Sequence, residues 1–295
     1  MRYEHLTLDE ERALYGVKDA EIVDCRFDGP ADGESAMKDA AGLTLQSCYM
    51  NLRYPLWHVH GAEITSSEMT ENCRAALWYD RDVRLTHCRL HGIKAVRECD
   101  DITLEDCDIR SPEFGWLSRG VRMANCTLES EYPFFQSRDI TLDRLKMKGK
   151  YSFQYVENMV IRDCVLDTKD AFWHGKNVTV VDSVVKGEYL AWYSENLRLV
   201  RCRIIGTQPL CYARGLVLED CEMVDADLAF ERSEVQATVR GTIDSVKNPQ
   251  SGRVEAESIG EVILDGTLPA TSTCQIVQRA GERSDEQWLG HAMNA

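Results

Sequence analysis

DVRLTHCRL (82–90), DITLEDCDI (101–109) and GVRMANCTL (120–128) write one nine-residue phrase three times at an interval of 19. NMVIRDCVL (158–166), NLRLVRCRI (196–204) and GLVLEDCEM (215–223) continue it, and weaker copies bring the total to eleven. The seventh place falls at Cys25, Cys48, Ser67, Cys88, Cys107, Cys126, Leu145, Cys164, Ser183, Cys202 and Cys221; the spacings are 23, 19 and 21, then seven of 19. A fixed short period is the mark of a solenoid, in which each repeat buries its apolar face against the next.

The phrase itself shows how one turn is built. Its first place is only ever Gly, Asn or Asp, from Asp19 and Gly42 to Asn196 and Gly215. These residues tolerate a left-handed backbone best, so the place reads as a corner. Places 2 and 4 are apolar, as are 7 and 9, each pair with the period of a half-buried strand. The gap of three between places 4 and 7 demands a bend. A second corner follows where Gly92, Gly149, Gly187 and Gly206 stand. After it comes an aromatic run, as in YPLWH (54–58), AALWY (75–79), YPFFQ (132–136), DAFWH (170–174) and YLAWY (189–193), which reads as a third strand.

Three short strands per 19 residues predict an all-β, single-domain right-handed parallel β-helix, the hand following that of parallel crossovers generally. A leucine-rich repeat shares part of the pattern, but its earlier leucine is replaced here by Cys99, Ser118, Ser137, Gly175, Ser194 and Ala213. The predicted divisions are an N-terminal cap over 1–18, the β-helix over 19–265, and a C-terminal cap or tail over 266–295. Thr7 with Glu10 forms a capping box before LDEERALY and Gly16, predicting a short helix that covers the first rung. Ser284 with Gln287, before Trp288, is a second capping box.

Composition sets bounds on function. Against 34 Lys+Arg stand 49 Asp+Glu, a net charge of −15, which disfavours nucleic acid and anionic membranes as partners. An acidic solenoid that mimics DNA fits the charge but not the aromatic run. No apolar stretch long enough to span a membrane occurs, and the first residues carry no apolar leader, so a cytoplasmic location is expected. The twelve cysteines show no zinc spacing. They are expected as free, small core residues in a reducing compartment.

The phrase, with SPEFGW, SEYPFFQ, KYSFQY, TKDAFWH, GEYLAWYSEN and IDSVKNPQSG between its copies, resembles an uncharacterised bacterial domain-of-unknown-function family of pectin-lyase-like right-handed parallel β-helix chains. The resemblance covers nearly the whole chain and implies the fold. It brings no activity with it, since polysaccharide lyases and hydrolases of the wider superfamily are an analogy of fold alone.

Candidate chemistry lies in the aromatic run. One column, place 15, is wholly non-polar, from Leu56 and Leu77 to Phe134, Phe153 and Phe172, and must point inward. The next column then points outward: Trp57, Trp78, Arg97, Trp116, Phe135, Gln154, Trp173, Trp192 and Cys211, holding five of the six tryptophans. It would form a stripe of roughly 38 Å, suited to the C–H faces of sugar rings, with Arg97 placed to hold a carboxylate. Glu98 and Glu113 flank Arg97 and Trp116. Their backbones would stand roughly 13 Å apart, and inward-leaning side chains could reach the ~6.5–9.5 Å of an inverting glycosidase pair. Asp170 and His174 bracket Trp173 in the same way.

The expected function is therefore a β-helix that binds, and in one version cleaves, a glycan along this stripe. The alternative is a non-catalytic scaffold or homodimer using the same surface. A covering loop and an inverted strand parity also remain open, as does a plain role for Glu98 and Glu113 as rim charges. Asp80, Asp82, Asp100 and Asp101 gather near one corner with oxygen ligands suited to calcium. Place 1 already accounts for two of them, and neither a metal nor a cofactor is expected.

Overall fold

The computed structural model describes residues 1–267 and 272–279. It is an all-β parallel solenoid of about 14 turns with roughly 19 residues per turn. Most turns begin with a six-residue strand such as Arg81–Thr86, followed by a short one such as Arg89–Leu90. The register is one turn throughout: Val83 pairs with Ile102, Leu85 with Leu104 and Leu90 with Ile109, all in parallel. Identical places therefore stack, and the apolar ones build a single continuous core along the axis.

Place 1 adopts the left-handed backbone expected of it, with φ of 56° at Asp82, 55° at Asp101 and 72° at Gly61. It lies inside the six-residue strand rather than between strands, because the ladder passes from Arg81↔Asp100 directly to Val83↔Ile102. Its side chains form a ladder of their own. Asn196 donates to Asn177 Oδ1 at 3.0 Å, Asn177 to Asn158 Oδ1 at 3.1 Å, and Asn158 to Asp139 Oδ1 at 3.1 Å. The predicted bend falls at place 6, where even Arg144 and Arg201 take φ of 50°.

The third segment differs from expectation. It is strand only in three turns, at Leu56–Trp57, Leu77–Trp78 and Val96–Arg97. Further along, it is a chain of turns in which alternate residues are left-handed, as in Tyr151, Phe153 and Tyr155 with φ of 56°, 61° and 57°. A left-handed L-residue costs about 1–2 kcal/mol. Full burial of Phe153 returns about 1.5–3 kcal/mol, and the stacked backbone is satisfied by bonds such as Phe153 N–H to Pro133 O at 2.9 Å. Aromatic residues here select a tight arc around a phenylalanine core.

The N-terminal helical cap is absent. Arg2–Glu4 and Thr7–Leu8 are strands that pair with Glu21–Val23 and Arg26–Phe27, so 1–16 forms a turn of the solenoid itself. The segment read as a helix is bonded to the next turn instead, through Arg12 N–H to Glu34 O, Leu14 N–H to Ala36 O and Gly16 N–H to Lys38 O at 2.8–3.0 Å. An eight-residue helix is marginal alone. Stacking gives the same backbone its partners and buries Leu14.

At the other end the phrase decays into two long strands, Glu234–Lys247 and Ser251–Ile263, which pair in parallel. Gln275–Gln278 adds a further strand on Arg253–Ala256. The capping box of Ser284 and Gln287 lies outside the described residues. Eleven cysteines are buried and Cys274 is half-buried, all as free thiols.

Candidate functional site

The place-15 column is buried throughout, including Leu56, Leu77, Val96, Phe134, Phe153 and Phe172 at 0 % exposure. The neighbouring column faces outward but lies flat: Trp57, Trp78, Arg97, Trp116, Phe135, Trp173 and Trp192 are each half-buried, whereas Cys211 at its end is buried, contrary to the outward expectation. Stacking by one turn brings the rings into ladders. Trp57 and Trp78 are 5.0 Å apart at 15°, and Trp173 and Trp192 are 5.5 Å apart at 4°. Lys38 Nζ covers the Trp57 ring at 3.7 Å. Three indoles are also tied to the backbone of the following turn: Trp116 to Tyr132 O, Trp173 to Tyr189 O and Trp192 to Gln208 O, at 2.6–2.8 Å. Ring faces in these ladders are turned toward each other along the axis, and edges toward solvent.

Glu98 and Glu113 lie at opposite margins of this column. Glu113 Oε2 is held by Lys94 Nζ at 3.1 Å, and Glu98 Oε1 by Arg97 Nε at 2.9 Å. Burial acts to raise the Glu98 carboxyl. The Tyr79 hydroxyl and the Arg97 guanidinium outweigh it, leaving Glu98 below the ordinary carboxylate value. The Trp78 indole N–H adds to this lowering without reaching hydrogen-bond geometry. Asp170 is buried at the rim, and burial raises its carboxyl.

At the N-terminal end of the stripe the surface opens into a cleft of about 430 Å³, lined by Asp39, His58, His60, Tyr79, Asp80, Arg81, Glu98 and Asp100. Two adjacent columns supply it. Asp39, His58, Tyr79 and Glu98 occupy the corner after the aromatic run in four successive turns, all left-handed with φ of 52–59°. His60, Arg81 and Asp100 follow two residues later in three of those turns. His58 Nδ1 meets Asp39 Oδ1 at 3.3 Å, and its ring lies 5.3 Å from that of Tyr79. Asp100 is clamped by Arg81 at 3.3 Å and Arg119 at 3.1 Å.

Tyr79 is the exposed phenol ring of this cluster. Its ring lies 5.4 Å from Trp78 at 19°, nearly parallel, and it remains 42 % exposed. The Glu98 carboxylate, by drawing on its hydroxyl, raises the phenol above its ordinary value. Aromatic surface, fixed carboxylates and imidazoles thus meet at one place. Of the residues expected from sequence to form the site, the cleft takes in Glu98 directly, with Trp78 and Arg97 behind it; Trp116, Phe135, Trp173 and Trp192 lie along the ladder beyond. Tyr79, Asp39 and His60 were not among them. Asp39 sits in the irregular 23-residue spacing, where the repeat gives no phase, although it stands 19 before His58.

The four aspartates near this corner do not share a centre. Asp80 turns into the core, and Asp82 and Asp101 occupy the outer kink. Among the described residues no three His, Cys, Asp or Glu side chains come together as metal ligands. No helix among them is long and apolar enough to cross a membrane.

Residues 1–277 match the family described as "Protein of unknown function (DUF3737)". The chain belongs to this family. No curated protein is similar to it in sequence. Among solved structures, the DUF3737 chain is similar to the mannuronan C-5 epimerase AlgE6 A-module of Azotobacter vinelandii, at 11% identity and a TM-score of 0.43, covering 93% of this chain and 87% of that one. It is also similar to PfbA, a surface adhesin of Streptococcus pneumoniae, at 8% identity and a TM-score of 0.42, covering 78% and 83%. Polygalacturonase from Erwinia carotovora ssp. carotovora follows at 9% and 0.26, covering 93% and 85%.

Proposed function

We propose that the chain binds a carbohydrate in the cleft at Tyr79. The observation that carries this reading is the meeting of an exposed, backed aromatic ring with Asp39, His58, His60, Glu98 and Asp100 in one concavity. Ligand sites join apolar surface to a few fixed polar groups. A sugar ring needs that combination: its C–H face lies on an aromatic ring, and its hydroxyls bond to planar carboxylates and imidazoles. Tyr79 suits the first task because its ring is held between Trp78 and the His58 imidazole while staying exposed to the cleft. Trp78 supports it from behind, its own ring stacked in turn on Trp57.

The Glu98 and Asp100 carboxylates of the cleft are already balanced by Arg97, Arg81 and Arg119. Arg97 in particular is committed to Glu98, so hydroxyl recognition of neutral sugars is favoured over capture of a uronate. Calorimetry of the full chain against neutral and uronic oligosaccharides tests this. Heat with a neutral sugar, lost in Tyr79→Ala, is expected. No heat with any sugar, alongside a dimer whose interface covers Trp78 and Trp116, would replace this reading with self-association through the stripe.

A further inference from the structure

The corner column does more than line a cleft. Asp39, His58, Tyr79 and Glu98 are stacked by backbone bonds one turn at a time, His58 N–H to Trp78 O at 3.0 Å and Tyr79 N–H to Arg97 O at 3.2 Å among them. The column runs in one line: Asp39 meets the His58 imidazole, His58 meets the Tyr79 ring, and Glu98 follows one turn beyond Tyr79 on the same cleft wall. His58 and Glu98 therefore stand on either side of the ring on which a sugar would rest.

Resting on the carbohydrate reading above, we propose that His58 and Glu98 are the acid and base of a glycoside-hydrolysing site that inverts the anomeric centre. Two turns separate their backbones by about 9.6 Å, at ~4.8 Å per turn. Both side chains leave the same corner toward the same cleft. An inverting pair stands roughly 6.5–9.5 Å apart, leaving room for a water beneath the sugar, while a retaining pair needs about 5–5.5 Å.

The environments divide the roles. Glu98 is held as a carboxylate by Arg97, with lone pairs left over for a water, which suits a base. His58 presents Nδ1 to Asp39 Oδ1 at 3.3 Å, which orients the ring and leaves Nε2 free for a substrate oxygen. That suits an acid. In this assignment His58 takes the place of Glu113, which Lys94 holds at the far margin of the aromatic column.

The step balances as hydrolysis. Water loses a proton to Glu98 as its oxygen bonds to the anomeric carbon. The bond from that carbon to the leaving oxygen breaks, and the leaving oxygen takes the proton from His58 Nε2. Glu98 then releases its proton to solvent and His58 regains one.

The test uses the full chain with 4-nitrophenyl α- and β-glycosides of glucose, galactose, mannose, xylose and N-acetylglucosamine, and with the corresponding disaccharides. Release of nitrophenolate from one of these is expected, with the product's first anomer, read by proton NMR, inverted. Glu98→Gln should lower kcat by about 100-fold or more while calorimetric affinity stays within a few-fold. Glu98→Asp, which keeps the charge but withdraws it, should fall between. His58→Gln should lose disaccharide cleavage and keep most nitrophenyl glycoside cleavage, because nitrophenolate leaves without a proton. Circular dichroism confirms that each variant is folded. Sugar binding without turnover on any probe overturns this assignment and leaves the binding site standing. So does retention of configuration, or turnover indifferent to Glu98→Gln. Absence of both binding and turnover overturns the carbohydrate reading and this one with it.

Discussion

Asp80 reaches back one turn so that its Oδ1 accepts the Val59 backbone N–H at 2.7 Å, while its Oδ2, equally buried, has no partner. The same place in later turns is filled by serine: Ser118 accepts from Cys99 N–H and Ser137 from Ser118 N–H, each at 3.2 Å. Asp80 performs a serine's task with one oxygen too many. Burial pushes its carboxyl well above the ordinary value, and the single bond from Val59 only partly opposes this.

The sign of the pH effect follows. A carboxyl raised in the folded state leaves stability intact below the unfolded pKa and erodes it as pH rises toward the folded value. Asp80→Ser should remove that slope above the unfolded pKa. It should raise unfolding free energy near neutrality by about 1–3 kcal/mol, the scale of an unsatisfied buried group. Urea unfolding of both proteins at pH 4.5 and pH 8 checks it. A difference that does not grow with pH would show that Asp80 is not the source.

The cysteine column supplies a second prediction. Burial pushes the Cys48 and Cys164 thiols of this column up to about 11, and those of Cys73 and Cys211, buried elsewhere in the core, up to about 12. In native protein only Cys274 should react promptly with a thiol reagent, and the rest only after denaturant. Cys107→Asp should destabilise by several kcal/mol, since a carboxylate would be buried without a partner. Prompt labelling of all twelve thiols would refute the buried column.

The two aromatic columns should respond differently to truncation. Phe153→Ala removes a fully buried ring and should cost about 3–5 kcal/mol. Trp116→Ala removes a half-buried ring and its bond to Tyr132 O, and should cost about 1–2 kcal/mol. Equal losses in melting experiments would mean that the outer column is as structural as the inner one.

The asparagine ladder yields a reversal of the usual order. At Asn177, with φ of 54°, both ladder bonds are lost in either Asn177→Gly or Asn177→Ala. Alanine additionally pays the left-handed penalty of about 1–2 kcal/mol that glycine escapes. The glycine variant should therefore be the more stable of the two in urea unfolding, the opposite of their order in an ordinary strand.

Much of this molecule was legible as sequence because a stacked solenoid repeats its environment every turn. A place that is buried once is buried in all turns, so Gly, Asn or Asp at place 1, the apolar pairs, the cysteines and the column of Leu56, Leu77 and Phe134 reveal a parallel β-solenoid with its period and its inward faces. The repeat is silent where that environment changes. The segment 9–16 has helical propensity, but propensity over one short stretch yields to the backbone partners offered by the next turn. The aromatic run promises a strand, but the arc is set by how tightly the chain must close around Phe153 and Phe172.

The site divides along the same line. Sequence alone predicted an outward tryptophan column with Glu98 beside it, but left the strand parity open. Only the tertiary structure decided that Trp57 stacks on Trp78 and Trp173 on Trp192, that Tyr79 stays exposed within the cleft, and that Asp39 joins His58 from a turn of irregular length. Alternation along the chain specifies which way a side chain leaves the backbone. Where its ring finally lies depends on what the turns above and below place against it.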